Sequence, residues 1–273
     1  VVCHRLNKDY NKRSGRLALV QGSLLDPVFG PMGNEEMERV LNNTDEYRVV
    51  TEEGKPGRKI HRESKKFTSL SKPIFCGTCH DVTLFNGFRL EEAYSEYRTS
   101  PAAARGTTCQ DCHMGKEQGV ASGYDVGPGA VVGGKPTKDR KITSHFFAGP
   151  DYSVIHPGIF PHNAEAQEMA SMAEWLDFDH KAGWGTDEFE DKVTEDMKFP
   201  VRWDSVDDRY DAREILNSQF EHLEFGRNLR MEVLRNGYGL GEIVTDQSSE
   251  DGIRFRVRVN NKTDGHNVPT GFT

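Results

Sequence analysis

Cys76-Gly77-Thr78-Cys79-His80 and Cys109-Gln110-Asp111-Cys112-His113 share one spacing, Cys-x-x-Cys-His. Two thiols three residues apart lie on one face of a helical turn, and an imidazole follows at once. This is the attachment signature of c-type haem. The thiols reach the two vinyl groups of one porphyrin, and the histidine ligates the iron beneath it. The chain opens on Val1-Val2-Cys3-His4, which reads as the last four residues of a third copy. We therefore expect a cysteine directly ahead of Val1 in a longer native protein. All five cysteines fall in these motifs, which leaves none for disulfides. Three haems are expected. Their thioether residues are Cys3, Cys76, Cys79, Cys109 and Cys112, and their proximal ligands are His4, His80 and His113. A zinc site or a thiol redox pair is the competing chemistry for one such motif. Repetition with the histidine at a constant offset favours haem.

Ten histidines are present, so seven remain beyond the motifs. A second histidine on each iron makes it six-coordinate and suits electron transfer, whereas an open position admits a substrate. His145 is the first distal candidate, because Phe146 and Phe147 beside it can pack on a porphyrin. His61 is next, just ahead of the first complete motif. His266 lies in Gly265-His266-Asn267-Val268-Pro269, where glycine and proline fix the ring's direction. His156, followed by Pro157, and His162 complete the set. The plain alternative for each is a solvated or hydrogen-bonded histidine. That alternative is preferred for His180 and His222, which sit in charged surroundings. Asp187-Glu188-Phe189-Glu190-Asp191 could hold calcium, but a solvated face is the better account.

The elements that must position these groups are short. A helix is expected near Asn34, with Met37, Val40 and Leu41 on one face. Residues 52–57 read as a loop. Leu90, Ala93, Tyr94 and Tyr97 have helical spacing, so an amphipathic helix is expected over Arg89–Arg105, with an interruption at Ser100-Pro101. Only 33 residues separate His80 from His113, so one helix and its turns span the gap and two haems lie close together. Six glycines over 119–140 indicate a surface loop or flap. Residues 164–178 read as a helix with Met169, Met172, Trp175 and Leu176 in one core stripe. Residues 206–236 read as a long helix that Gly226 could bend and that Asn236-Gly237 stops. Ile253, Phe255, Val257 and Val259 alternate with arginines, which reads as a half-buried strand, and Leu240–Thr245 is its expected partner.

Composition narrows the class. Apolar residues make up 35% of the chain and charged residues 29%, with a mean hydropathy of -0.69. That is a thin supply for an ordinary core, and covalent porphyrins would supplement it. The formal charge of -8 and the lack of a basic stripe argue against nucleic acid as a partner. No stretch approaches the length of a membrane span.

The chain resembles the large extracytoplasmic multihaem c-type cytochromes of metal-reducing and related bacteria. The residues that carry the likeness are Phe75 to Val82, Glu96-Tyr97-Arg98-Thr99-Ser100-Pro101, Thr108 to Met114, Ser144-His145-Phe146, and Gly265 to Gly271. The missing first cysteine at the N-terminus departs from the pattern. The resemblance implies bis-histidine haems in a chain, electron transfer as the role, and a β-rich domain after the haem part. The expected fold class is a mainly α and irregular multihaem cytochrome c domain over 1–163, a helical segment over 164–238, and a C-terminal β segment over 239–273 that starts a truncated β-domain. The expected function is electron transfer through heme c in a periplasmic or extracellular respiratory chain, with other cytochromes as redox partners and self-assembly as a further option. Two alternatives stand beside it: a reductase of a nitrogen or sulfur oxyanion with one open haem, and a subunit of a haem filament.

Overall fold

The computed structural model describes residues 2–8, 18–31, 35–149 and 163–270. His156 and His162 lie outside these residues. The chain divides into two compact units: Val1–Ala148 with Glu232–Thr273, and Gly149–Met231. This differs from the three-part division expected from the sequence, because the terminal strands are grouped with the cysteine-rich segment.

The first unit consists of short helices and two-stranded sheets. Val28–Gly30 pairs in parallel with Ser64–Lys66, and Val49–Val50 with Arg58–Lys59. The helix Glu35–Asn42 forms as expected, and its Val40 packs with Tyr47 and Val49 in a small core. The second complete motif forms the helix Cys109–His113, and the first begins at the end of the helix Pro73–Gly77 and runs on past it; the two helices pack on each other. Pro73 starts the first helix, where its missing N–H costs nothing. Thr108 and Asp111 form a reciprocal cap on the second.

The helix expected over Arg89–Arg105 is divided. Arg89–Glu91 is instead a strand, paired antiparallel with Val82–Thr83. Asn86-Gly87 forms the turn between them, with Gly87 at positive φ. Asn-Gly is the strongest short hairpin signal, and it outweighs four apolar residues at helical spacing. Helix follows only over Ala93–Tyr97 and Pro101–Ala104, where the Ser100 side chain caps the second piece. The glycine-rich segment is a hairpin rather than an irregular flap: Asp125–Pro128 pairs with Asp139–Ile142, and Gly133-Gly134 turns between two shorter strands.

The terminal strands pair as expected, with Tyr238–Ser249 antiparallel to Gly252–Asn261 and Ile243 opposite Val257. Their burial does not match expectation. Ile253, Phe255, Val257 and Val259 are all exposed, Phe255 at 52%.

The second unit is built around aromatic side chains. Trp175, Phe178 and Trp203 are buried with Ala166, Ala212 and Leu216. Trp175 and Trp203 lie 5.1 Å apart, and each donates its indole N–H to a backbone carbonyl, of Ala166 and Glu174 respectively. The helix expected over 164–178 is broken at Ala170. Ser171 and Glu174 make a reciprocal cap that starts a second helix, Met172–Leu176. Met172 and Leu176 are therefore exposed, and only Met169 and Trp175 of the expected stripe face the core. The long helix Val206–Gly237 is continuous through Gly226 and stops where Asn236-Gly237 predicts. Its residues from Glu232 onward belong to the first unit.

Glu190 and Arg209 form an ion pair inside this second unit, with side chains 5% and 3% exposed. Two parallel hydrogen bonds of 2.9 and 2.5 Å join them, and Arg209 also donates to the carbonyls of Trp203 and Asp204. This pairing removes Glu190 from the acidic run that could have held calcium.

Candidate functional site

The first unit gathers the motif residues into one region. The Cys76 and Cys109 thiols hydrogen-bond each other, so the two complete motifs meet at their first cysteines. That hydrogen bond, with burial, pushes the Cys109 thiol far up, so its proton stays in place. Burial raises the Cys79 thiol, and nearby Cys3 and Cys76 add to the effect. Burial likewise raises Cys112. The third cysteine segment thus lies beside the first complete motif, and that motif beside the second.

Gln110, inside the second motif, ties the two together. Its amide donates to the carbonyls of Leu70 and Lys72, which lead into the first motif helix, both at 3.0 Å. Gly77 is required where it stands: a Cβ there would come within 2.4 Å of the Tyr94 ring.

The histidines form two facing pairs. His4 and His145 have ring centres 6.3 Å apart and planes inclined by 28°. His113 and His266 have centres 6.2 Å apart and planes inclined by 19°. Two imidazoles on opposite sides of one metal, each nitrogen about 2 Å from it, have ring centres about 6 Å apart. Direct ring stacking would be closer. Each pair joins a motif histidine to a candidate distal one.

Residues far apart in sequence build these pairs. Ser144 N–H bonds the carbonyl of Met114 at 2.9 Å, which holds the His145 segment beside the end of the second motif. Phe147 meets the His145 ring edge-on at 6.0 Å. The strand pair Tyr238–Asn261 returns the chain to the centre. There Arg105 pairs with Asp264 at 2.6 Å, and Asn267 N–H bonds Glu96 at 2.8 Å. His266 is thereby carried opposite His113.

The ring nitrogens are set by their acceptors. His4 Nδ1 lies 2.7 Å from the Phe29 carbonyl, His145 Nδ1 2.8 Å from that of Thr143, and His266 Nδ1 2.7 Å from that of Asn267. A carbonyl only accepts, so each Nδ1 carries the proton and Nε2 keeps its lone pair. Burial lowers His113 to about 4, with His266 and His80 contributing, so it is neutral and able to ligate.

His80 has a different environment. Its Nδ1 lies 2.6 Å from a Glu91 carboxylate oxygen. Among the described residues no second imidazole faces it. His61 is lowered by burial and by His4 nearby, but it pairs with no motif histidine among the described residues. His180 packs on Phe220, and His222 is exposed on the long helix. Also among the described residues, no group of three or more His, Cys, Asp or Glu side chains is placed to hold a metal ion, and no helix is long and apolar enough to cross a membrane.

No protein-family model, curated protein or solved structure matches this chain.

Glu91 and the carbonyl acceptors were not singled out from the sequence. For Glu91 a signal existed. The Asn86-Gly87 turn folds Arg89–Glu91 back onto the strand that follows His80. The carbonyl acceptors have no side-chain signature.

Proposed function

We propose that this chain is a multihaem c-type cytochrome that passes electrons along covalently bound haems in an extracytoplasmic respiratory chain. The observation that carries this reading is the pair of imidazole–imidazole spacings, 6.3 and 6.2 Å, each joining a motif histidine to a distal candidate. The donor set fits the group. Each pair brings two imidazole rings face to face, and among the described residues no third ligating side chain joins them, which suits a metal whose remaining positions a macrocycle would fill. Bound haem supplies a one-electron iron couple whose position the axial ligands and their surroundings tune.

The residues divide the remaining work. Cys76 with Cys79 and Cys109 with Cys112 attach the group, with Cys3 supplying one thiol at the first site. Bound haem would take its iron-ligating imidazoles from His4 with His145 and from His113 with His266. Phe29, Thr143 and Asn267 orient the rings through their carbonyls. Phe147 covers one edge of the His145 ring. Proximity of the motifs through Cys3, Cys79, Cys76 and Cys109 orders the sites, with the His80 site between the other two. Haem held by two histidines at once would leave no place for a substrate at the metal, which favours electron transfer over substrate chemistry.

One observation favours the reductase alternative: His80 faces no described imidazole. Electron paramagnetic resonance of the oxidised protein separates the two readings. Low-spin signals alone support the carrier, and a high-spin signal from one iron in three supports an open site.

A further inference from the structure

The four axial histidines with a bonded Nδ1 do not share one kind of acceptor. His4, His145 and His266 donate to neutral backbone carbonyls at 2.7–2.8 Å. His80 alone donates to a carboxylate, Glu91, at 2.6 Å. We propose that Glu91 holds the iron at His80 at a lower reduction potential than the irons at His4 and His113. This inference rests on the haem reading above.

An ionised acceptor shortens and strengthens the hydrogen bond and draws the proton away from the ring. The imidazole then pushes more negative charge onto the metal. Reduction adds one electron to the iron, with no proton taken up by the ligand. Negative charge gathered on that ligand stabilises the oxidised state and opposes the added electron. A neutral carbonyl does this less. Among the described candidate ligands, the carboxylate partner thus falls on the site that Cys3, Cys76 and Cys109 mark as central.

Glu91 is held for this task by the strand pair that follows His80. Val82 is opposite Glu91 in the register. Tyr94 N–H bonds the His80 carbonyl at 3.0 Å. Asp81, next to His80, is fully buried and accepts from both Arg89 and Ser95, and Arg89 also binds Thr83 and Glu92. These contacts fix both ends of the short hairpin, so Glu91 keeps its reach to Nδ1. Glu91 touches the ligand and not the iron, and it acts as a positioning and tuning residue.

Spectroelectrochemical titration of the holoprotein, with haem counted beforehand by the alkaline pyridine assay, tests the proposal. Glu91→Gln keeps the shape and an acceptor oxygen but removes the charge. It should raise one of the three potentials by a roughly tenfold change in the reduction equilibrium, about 59 mV for one electron, and leave the other two in place. One low-spin resonance signal should shift with it. Glu91→Asp, which keeps the charge, should stay nearer the native value. Glu92→Gln disturbs the Arg89 clamp without touching His80 and should move no potential. Three haems with unchanged potentials in Glu91→Gln would overturn the role of Glu91 while leaving the haem reading intact. An equal rise with Glu92→Gln would show that only the hairpin fold matters. A native protein without covalent haem would overturn both.

Discussion

A metal-ligating histidine almost always has its other ring nitrogen held by a hydrogen bond, and His4, His80, His145 and His266 each have Nδ1 held in that way. The motif histidines are legible in the sequence because the cysteines number their positions. The histidines that face His4 and His113 are not, since the segments of His145 and His266 are held by contacts with Met114 and Glu96, far away along the chain. His61, ranked second from its position, pairs with no motif histidine among the described residues. Replacing His266 with alanine should convert the iron at His113 to a high-spin form, and His145→Ala should do the same at His4. His180→Ala and His222→Ala should leave the resonance spectrum of the oxidised protein unchanged. An unaltered spectrum in His266→Ala would remove that residue from the ligand set. Gly77→Ala tests the packing under the first motif. Its new methyl collides with the Tyr94 ring, and the cost should be about 1–3 kcal/mol in denaturant titration. A change within a few tenths would mean that Tyr94 gives way freely.

Among the elements, strong local punctuation decided what could be foreseen. Asn236-Gly237 ends the long helix, and alternation from Ile253 to Val259 produces the terminal strand pair. The same kind of punctuation explains two errors. Asn86-Gly87 turns a stretch whose apolar spacing suggested helix, and Ser171 with Glu174 restarts a helix that periodicity made continuous. A periodic pattern carries no information about where a cap divides it. Burial was harder to foresee than pairing. The terminal strands have an apolar face by alternation, yet Phe255 is half exposed. Phe255→Ser should therefore change stability by about 0.5 kcal/mol or less. A loss of about 2 kcal/mol or more on thermal unfolding would show instead that this face is covered.

At the scale of the whole molecule, each unit is stabilised by its own kind of contact. All three tryptophans lie in the second unit, so their signal follows the packing of that unit's aromatic core. Burial pushes the Glu190 carboxyl up, but the hydrogen bonds from Arg209 and from the Gly185 N–H, with the Arg209 charge, outweigh it and hold the group below its usual range. The folded unit therefore binds that proton less tightly than the unfolded chain does. Its stabilising contribution is present above the ordinary glutamate range and is lost as pH falls below it. Glu190→Gln should cost about 3 kcal/mol or more, because Arg209 keeps its charge in a buried place without its partner. Tryptophan-monitored unfolding that shows no such loss, and no weakening of the native unit in acid, would contradict this account. This ion pair was not legible in the sequence, where Glu190 is one acid among several; only the fold turns it inward.

The first unit has few buried apolar side chains of its own and devotes its centre to cysteines and facing histidines. The central claim is that these cysteines are bonded to haem. Peptide mass spectrometry of the native protein, alkylated before digestion, tests it most directly. The account predicts that the peptides holding Cys76–His80 and Cys109–His113 each carry one haem and take up no alkylating reagent. Bare, alkylated thiols at Cys76, Cys79, Cys109 and Cys112 would contradict it.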